Sequence, residues 1–284
     1  MRFALTPRVF TSHPIRLAAV TIAAMFIPVL AMPSDAATAG EDNHPKPTIV
    51  LVHGAWADSS SWSGEIAQLQ GDGYSVEAAP NPLRDLSTDA ASLKDFLSTV
   101  SGPIILVGHS YGGAVMTSAA TGNKNVKALV YVDGYAPDTG ETIAALSGAD
   151  SIFAPAATDP TSVFRLVPYP GAPANSVDTY VLTKLFITKF ANGVPGPQAA
   201  VLAASQSPAS TETFGPFPGT PAWKTIPSYY VLGTQDNAIT PNAQESMATR
   251  AHAQITRINA GHLGLITQPG AVTNVIERAA KEHG

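Results

Sequence analysis

The run Gly108-His109-Ser110-Tyr111-Gly112 sets a serine between two glycines, where an apolar segment (residues 103–107) gives way to a small-residue segment (residues 113–120). A G-x-S-x-G turn between a strand and a helix strains the serine backbone and lifts its hydroxyl clear of the sheet. Glycine is expected at both flanks because strand and helix approach too closely there for side chains. A serine hydroxyl is a weak nucleophile at neutral pH. It needs a base, most often a histidine oriented by a carboxylate. The chemistry would be acyl transfer through a covalent intermediate.

Seven histidines are available as the base. His13 lies in a leader, His44 in a polar lead-in, His252 at the end of a helix, and His283 is penultimate. His53 and His109 flank the loops that carry the other candidates. His262 remains, in a glycine-flanked loop (Asn259-Ala260-Gly261-His262-Leu263-Gly264) just past the last strand. Asp236, in Gly233-Thr234-Gln235-Asp236-Asn237, follows a strand and precedes His262 with room for one helix and one strand between them. Its competitor is Asp133, which ends the preceding strand. An oxyanion needs two aimed donors. One is the N–H of Tyr111, the residue after the nucleophile. The other is the N–H of Ala55, in the loop His53-Gly54-Ala55-Trp56, with His53 itself a structural residue. Trp56, Trp62 and Leu263 are candidate pocket residues, although each tryptophan would serve equally well in a core. With a histidine base, activity is expected to rise with pH through about 6–7, near the reference value for that side chain.

These residues need a sheet whose strand ends converge. Strands are expected at residues 48–52, 74–79, 103–107, 126–132, 227–232 and 255–258. Helices are expected at 61–70, 87–100, 113–120, 242–251 and 269–281, with Thr240 as N-cap and Pro241 at the first position of the fourth. The continuous apolar strands fit a parallel sheet covered on both faces. Residues 138–222 break the alternation, and residues 137–221 hold twelve of the 24 prolines. A structureless loop of that length is improbable in a compact domain. A helical lid over the carboxyl ends of the strands is expected instead, with helices at 177–190 and 198–206. The core is then 40–137 plus 223–284.

The chain is 45% hydrophobic and 13% charged with a net charge of −5, and no Lys/Arg cluster marks a nucleic-acid surface. Arg2, Arg8 and Arg16 precede an apolar stretch at residues 17–32, interrupted by Pro28, and Ala37-Thr38-Ala39 fits a cleavage site. Residues 1–39 therefore read as a cleaved signal peptide, giving a secreted or periplasmic protein with no stable membrane anchor. Cysteine is absent, which excludes disulfides, thiolate catalysis and cysteine-based zinc sites. No nucleotide-phosphate or H-E-x-x-H zinc motif is present, and no cofactor or metal is implied.

Together, Leu51-Val52-His53-Gly54-Ala55-Trp56, Gly108-His109-Ser110-Tyr111-Gly112-Gly113, Gly233-Thr234-Gln235-Asp236 and Gly261-His262 resemble the α/β-hydrolase superfamily from about residue 47 onward. They look closest to exported bacterial relatives of the plant methylesterase and hydroxynitrile lyase group. The resemblance implies an α/β-hydrolase fold, a Ser110-Asp236-His262 triad, a helical lid and no cofactor. Serine at position 110, where aspartate would be the nucleophile, argues against haloalkane dehalogenase and epoxide hydrolase relatives. The lyases of the group carry lysine after the catalytic histidine and threonine in the first oxyanion loop; Leu263 and Gly54 stand at those positions here. The expected activity is hydrolysis of small carboxylic esters or lactones. A cofactor-free perhydrolase or haloperoxidase-like activity on the same triad, and a non-catalytic ligand receptor, are the alternatives, since this fold hosts many chemistries.

Overall fold

The computed structural model describes residues 46–284; the leader and its cleavage site lie outside them. In chain order the strands are β1 (Thr48–Val52), β2 (Val76–Ala79), β3 (Ile104–His109) and β4 (Val126–Val132). Three more, β5 (Phe164–Val167), β6 (Asp178–Val181) and β7 (Ala209–Ser210), lie in the inserted segment. β8 (Ser228–Gly233) and β9 (Gln254–Ile258) complete the main sheet. That sheet is parallel throughout, in the order β2-β1-β3-β4-β8-β9. The chain adds β2 on one side of β1 and then crosses to β3 on the other. This makes a switch point at the carboxyl ends of β1 and β3, where ligands of open α/β sheets bind. The strands at the centre are aliphatic almost without interruption, and every residue of β3 and β8 is buried.

The helices are α1 (Ser63–Gly71), α2 (Leu86–Ser98), α3 (Tyr111–Ala119), α4 (Thr183–Leu185), α5 (Gly196–Ala204), α6 (Pro241–Arg250), α7 (Gly264–Thr267) and α8 (Pro269–His283). α1 packs with α8 and α2 with α3, so that helices cover both faces of the sheet. On α8 an apolar stripe of Val272, Val275, Ile276 and Ala279 is buried, as the 3.6-residue period of an amphipathic helix requires. Thr240 caps α6, its side chain accepting from the Ala243 N–H at 3.4 Å, with Pro241 at the first helical position. Among the described residues no helix is long and apolar enough to cross a membrane.

Register fixes the site. Val52 pairs with Gly108, His109 with Val132, Val132 with Val231, and Gly233 with Ile258. The loops after β1, β3, β4, β8 and β9 therefore leave one edge of the sheet together. These loops hold Ala55, Ser110, Asp133, Asp236 and His262.

The inserted segment differs in detail from the sequence expectation. Residues 177–190 do not form one helix. Their first half is β6, which pairs antiparallel with β5 (Phe164 opposite Val181) and with β7 (Thr179 opposite Ala209). Thr179, Tyr180 and Val181 are β-branched or aromatic and suit a pleated strand once partners exist. Helix begins only after Leu182, as α4 running into a π-turn at Phe186–Phe190. The insertion is tied to the core through polar contacts. Arg84 Nη1 pairs with Asp178 at 2.8 Å, Arg84 Nη2 donates to the Pro208 carbonyl at 3.0 Å, and Ser210 N–H donates to the Leu83 carbonyl at 2.9 Å.

Candidate active site

Ser110 sits between β3 and α3 with φ 50° and ψ −123°, a positive φ that a non-glycine residue rarely adopts. Its neighbours explain how the strain is held. A Cβ on Gly108 would lie 2.7 Å from the Gly112 carbonyl oxygen, and a Cβ on Gly112 would collide with the Val52 carbonyl. The Ser110 carbonyl accepts from Gly113 and Tyr135 N–H groups at 2.9 and 3.0 Å, which pins the turn from both sides. Strain of this kind persists only where the surroundings over-determine it, and it clusters at functional positions.

His262 Nε2 lies 2.9 Å from Ser110 Oγ, and His262 Nδ1 lies 2.8 Å from Asp236 Oδ2. The residue pair that bonds one ring nitrogen fixes the tautomer of the other. With Nδ1–H donating to the carboxylate, Nε2 is the free base facing the hydroxyl. Asp236 is buried but well supplied with donors. Its Oδ1 accepts from Ala238 and Ile239 N–H at 2.7 and 3.1 Å, and its Oδ2 from Gln244 Nε2 at 2.7 Å. Burial pushes the Asp236 carboxyl up, and these three donors oppose the shift by favouring the charged form. Burial likewise pushes His262 down, from 6.5 to about 3. The competing carboxylate, Asp133, is equally buried but binds the Gly233 N–H at 2.6 Å and not the histidine.

The loop after β1 lies across the nucleophile: a Cβ on Gly54 would fall 2.7 Å from Ser110 Cβ. Tyr111 is the first residue of α3, and such positions have no intrahelical acceptor for their N–H. Among the described residues no hydrogen bond engages the backbone N–H of Ala55 or of Tyr111. The Tyr111 side chain points away, its hydroxyl donating to Asp89 at 2.8 Å. His53 is held by structure alone, its ring bonded to the Gly54 carbonyl and to the Asn81 N–H. His109 Nε2 donates to the His262 carbonyl at 2.9 Å and so braces the base from below.

The walls are aromatic. Trp56 packs against Phe153, Phe164, Phe190 and Phe214 with ring centroids 5.2–6.0 Å apart, and its Nε1 donates to the Thr179 carbonyl at 3.0 Å. Trp56 and Leu263 line a small cavity with His109, Phe186 and Phe190. Beyond Trp56 lies an apolar cavity of about 240 Å³, bounded by Phe153, Phe164, Leu166 and Phe214. Trp62 is fully buried, edge-on behind His109 at 6.3 Å, and lines neither cavity. Two residues close to the chemistry were not among the sequence candidates. Phe190 sits edge-on to His262 at 4.8 Å, placed there by the π-turn. Gln244, the other, is a fully buried polar residue on the face of α6 turned to Asp236. Its position eight residues after Asp236, in the first turn of the next helix, was the available signal. Among the described residues no group of three or more His, Asp or Glu side chains is arranged to hold a metal ion.

Known proteins resemble this chain in sequence or in fold. A carbendazim-hydrolyzing esterase from Nocardioides sp. is 33% identical over 110 residues, covering 34% of this chain and 46% of that enzyme, so the match spans about half of the relative's length. An extracellular α/β-hydrolase from a Paenibacillus species, described as sharing structural and functional homology with tobacco salicylic acid binding protein 2, superposes with a TM-score of 0.66 at 21% identity. That alignment covers 83% of this chain and 99% of the other. Tomato methylketone synthase I superposes with a TM-score of 0.67 at 19% identity, covering 85% and 100%. Structural neighbours thus include both bacterial and plant proteins. The model of the alpha/beta hydrolase family matches residues 49–275, the span that holds the sheet, the strained serine turn, the carboxylate and the histidine. With sheet order, turn and triad all agreeing, the chain belongs to the alpha/beta hydrolase family.

Proposed function

We propose that this protein is a serine hydrolase of carboxylic esters, akin to exported bacterial relatives of the plant methylesterase and hydroxynitrile lyase group. One observation carries the reading: a strained serine, a histidine and a carboxylate linked in series at 2.9 and 2.8 Å. In the proposed mechanism Ser110 Oγ attacks the ester carbonyl while His262 Nε2 takes its proton. Asp236 holds the imidazole in the working tautomer and stabilises the cation that forms. The N–H groups of Ala55 and Tyr111 receive the oxyanion; their freedom from other acceptors supports that assignment. His262 then protonates the departing alkoxide, and water attacks the acyl-enzyme by the reverse path.

The apolar cavity beyond Trp56 suits an uncharged substrate group, and residues 138–222, which supply most of its wall, are assigned as the lid. Residues 1–39 are assigned as a signal peptide removed on export; the Paenibacillus relative is described as extracellular. Hydrolysis is preferred to cyanohydrin cleavage because Leu263 brings no charge beside the base to stabilise departing cyanide, and Gly54 brings no hydroxyl.

The test is fluorophosphonate labelling followed by a panel of p-nitrophenyl esters and mandelonitrile. Wild-type protein is expected to label at Ser110 and to release p-nitrophenol, and Ser110→Ala to lose both, with kcat down at least ~10³-fold. Labelling at a different serine, or benzaldehyde release without ester turnover, overturns the reading.

A further inference from the structure

The carboxylate and the base are carried on two separate loops, and one side chain of the inserted segment touches both. Asn192 follows the π-turn Phe186–Phe190. Its turn is closed by the Ala191 N–H, which donates to the Phe186 carbonyl at 2.8 Å, and by the Val194 N–H, which donates to the Ala191 carbonyl at 3.0 Å. Phe190, Ala191 and Val194 are buried, so the backbone that carries Asn192 is anchored on both sides. Asn192 Nδ2 donates to the Gln235 carbonyl at 2.8 Å. That carbonyl belongs to the peptide leading into Asp236, whose N–H donates to the Gly233 carbonyl at 3.2 Å. The peptide before the carboxylate is thus held at both ends.

Gly261, the residue before His262, meets the same amide. It does not adopt a positive φ, so backbone conformation alone does not demand glycine there. Space does: a Cβ on Gly261 would fall within 2.6 Å of Asn192 Nδ2, Cγ and Oδ1, its three nearest neighbours. The carboxamide occupies the volume that a side chain at 261 would take. Flipping it would set Oδ1 against the Gln235 carbonyl, two acceptors with no proton between them, so its orientation is fixed. The Oδ1 is buried and, among the described residues, has no hydrogen-bond partner. Burying that oxygen is a cost that packing alone does not require. Asn192 lines neither cavity.

We propose that Asn192 is a positioning residue, whose amide clamps the residue before Asp236 and the residue before His262 and so sets the separation of acid and base. The 2.8 Å bond between His262 Nδ1 and Asp236 Oδ2 depends on that separation. A displacement of ~1 Å at such a pair can cost ~10²-fold in rate. The inference rests on Ser110, His262 and Asp236 being the hydrolytic triad.

The experiment is a double-mutant cycle of Asn192→Ala and Gly261→Ala, read as kcat and KM on p-nitrophenyl acetate. Asn192→Ala loses the bond to Gln235, and Gly261→Ala pushes the amide off it. Each should lower kcat about 10-fold with KM within about twofold. The double variant should also be about 10-fold slow, because both changes break the same clamp. A double variant about 100-fold slow would mean that the two positions act independently, and overturns the proposal. Wild-type kcat in either single variant overturns it too, whatever happens to Tm or to KM for bulky esters, which a merely structural role would move. Should Gly261→Ala not fold, Asn192→Asp decides the matter: it keeps the shape, cannot donate to Gln235, and should be as slow as Asn192→Ala. The low-field proton resonance of the His262–Asp236 bond should shift in Asn192→Ala; an unchanged resonance refutes the assignment. Fluorophosphonate labelling separates the two layers. No labelling of the wild type defeats the hydrolase reading, while the resonance still reports on Asn192. Labelling together with full kcat in Asn192→Ala defeats this inference alone.

Discussion

The acid limb of the pH–rate profile should lie well below the range expected of a histidine in water. His262 is fully buried, walled by Phe190 at 4.8 Å and His109 at 4.9 Å between ring centroids. Its charged form loses hydration with no solvent in return, and burial lowers its pKa from 6.5 to about 3. At ~1.4 kcal/mol per unit, that is about 5 kcal/mol against protonation. The bond to Asp236 works in the opposite direction, so the limb of kcat/KM is expected below about pH 5 instead of near 6.5. The sign is fixed by the role. The neutral imidazole is the base, so activity is full above the folded-state value and falls as pH drops through it. Stability moves with it. The unfolded chain takes up the proton near 6.5 and the folded one does not, so folding weakens as pH falls below 6.5. Rates must therefore be paired with circular dichroism at each pH. Phe190→Ala admits water to the ring and should move the limb up by about one unit. A wild-type limb at pH 6–7 in folded protein would refute the reasoning, because it would mean the working site is hydrated.

Asp236→Asn should cut kcat on p-nitrophenyl esters by ~10³–10⁴-fold, since the amide favours the wrong tautomer of His262; an effect under tenfold would move the acid role elsewhere. Glu65, buried on α1 with both carboxyl oxygens unbonded, is pushed up by burial to about 9. Its folded form keeps a proton that the unfolded chain releases from 4.5 upward, so stability falls as pH rises from 4.5 towards 9. Glu65→Gln should flatten that decline and raise Tm at pH 8, and an unchanged pH–Tm curve in thermal melts would count against it. Trp56→Phe loses the bonds to Thr179 that join the loop after β1 to β6. It should raise KM for bulky esters several-fold more than for acetate, and equal changes across the series would contradict a role in holding the cavity wall.

The core and triad were legible because each depends on local patterns that only one environment explains. Val50 and Leu106 sit in unbroken aliphatic runs, and such runs of strand length belong in a sheet covered on both faces. Gly108 and Gly112 bracket Ser110 because backbone approaches backbone there, a constraint that leaves a mark at fixed spacing. Asp236 and His262 could be paired because each follows a strand late in the chain, with room for one helix and one strand between them. The insertion left no such mark. β7 is two residues long, and β5 and β6 four each, too short for alternation to be told from helix periodicity. Residues 177–190 read as helical because the sequence could not disclose that Phe164 would stand opposite Val181.

The same limit explains why the histidine's environment, and with it the pH expectation, could not be read ahead. A reference pKa presumes water around the ring. Phe190 on the π-turn lies against His262 itself, and it is backed by Trp56 after β1, Phe153 early in the insertion and Phe186 on the same turn. No spacing rule connects those positions, since their contacts are made by an inserted segment whose own sheet is non-local. Trp56 joins the two halves of the problem. Trp56 itself has φ 57°, follows Ala55, the proposed oxyanion donor, and bonds Thr179 at the centre of the inserted sheet. The loop that would receive the oxyanion is therefore also bonded to the inserted sheet. A displacement of that sheet would then disturb the Ala55 N–H, and substrate discrimination and turnover should respond together to changes at this one tryptophan.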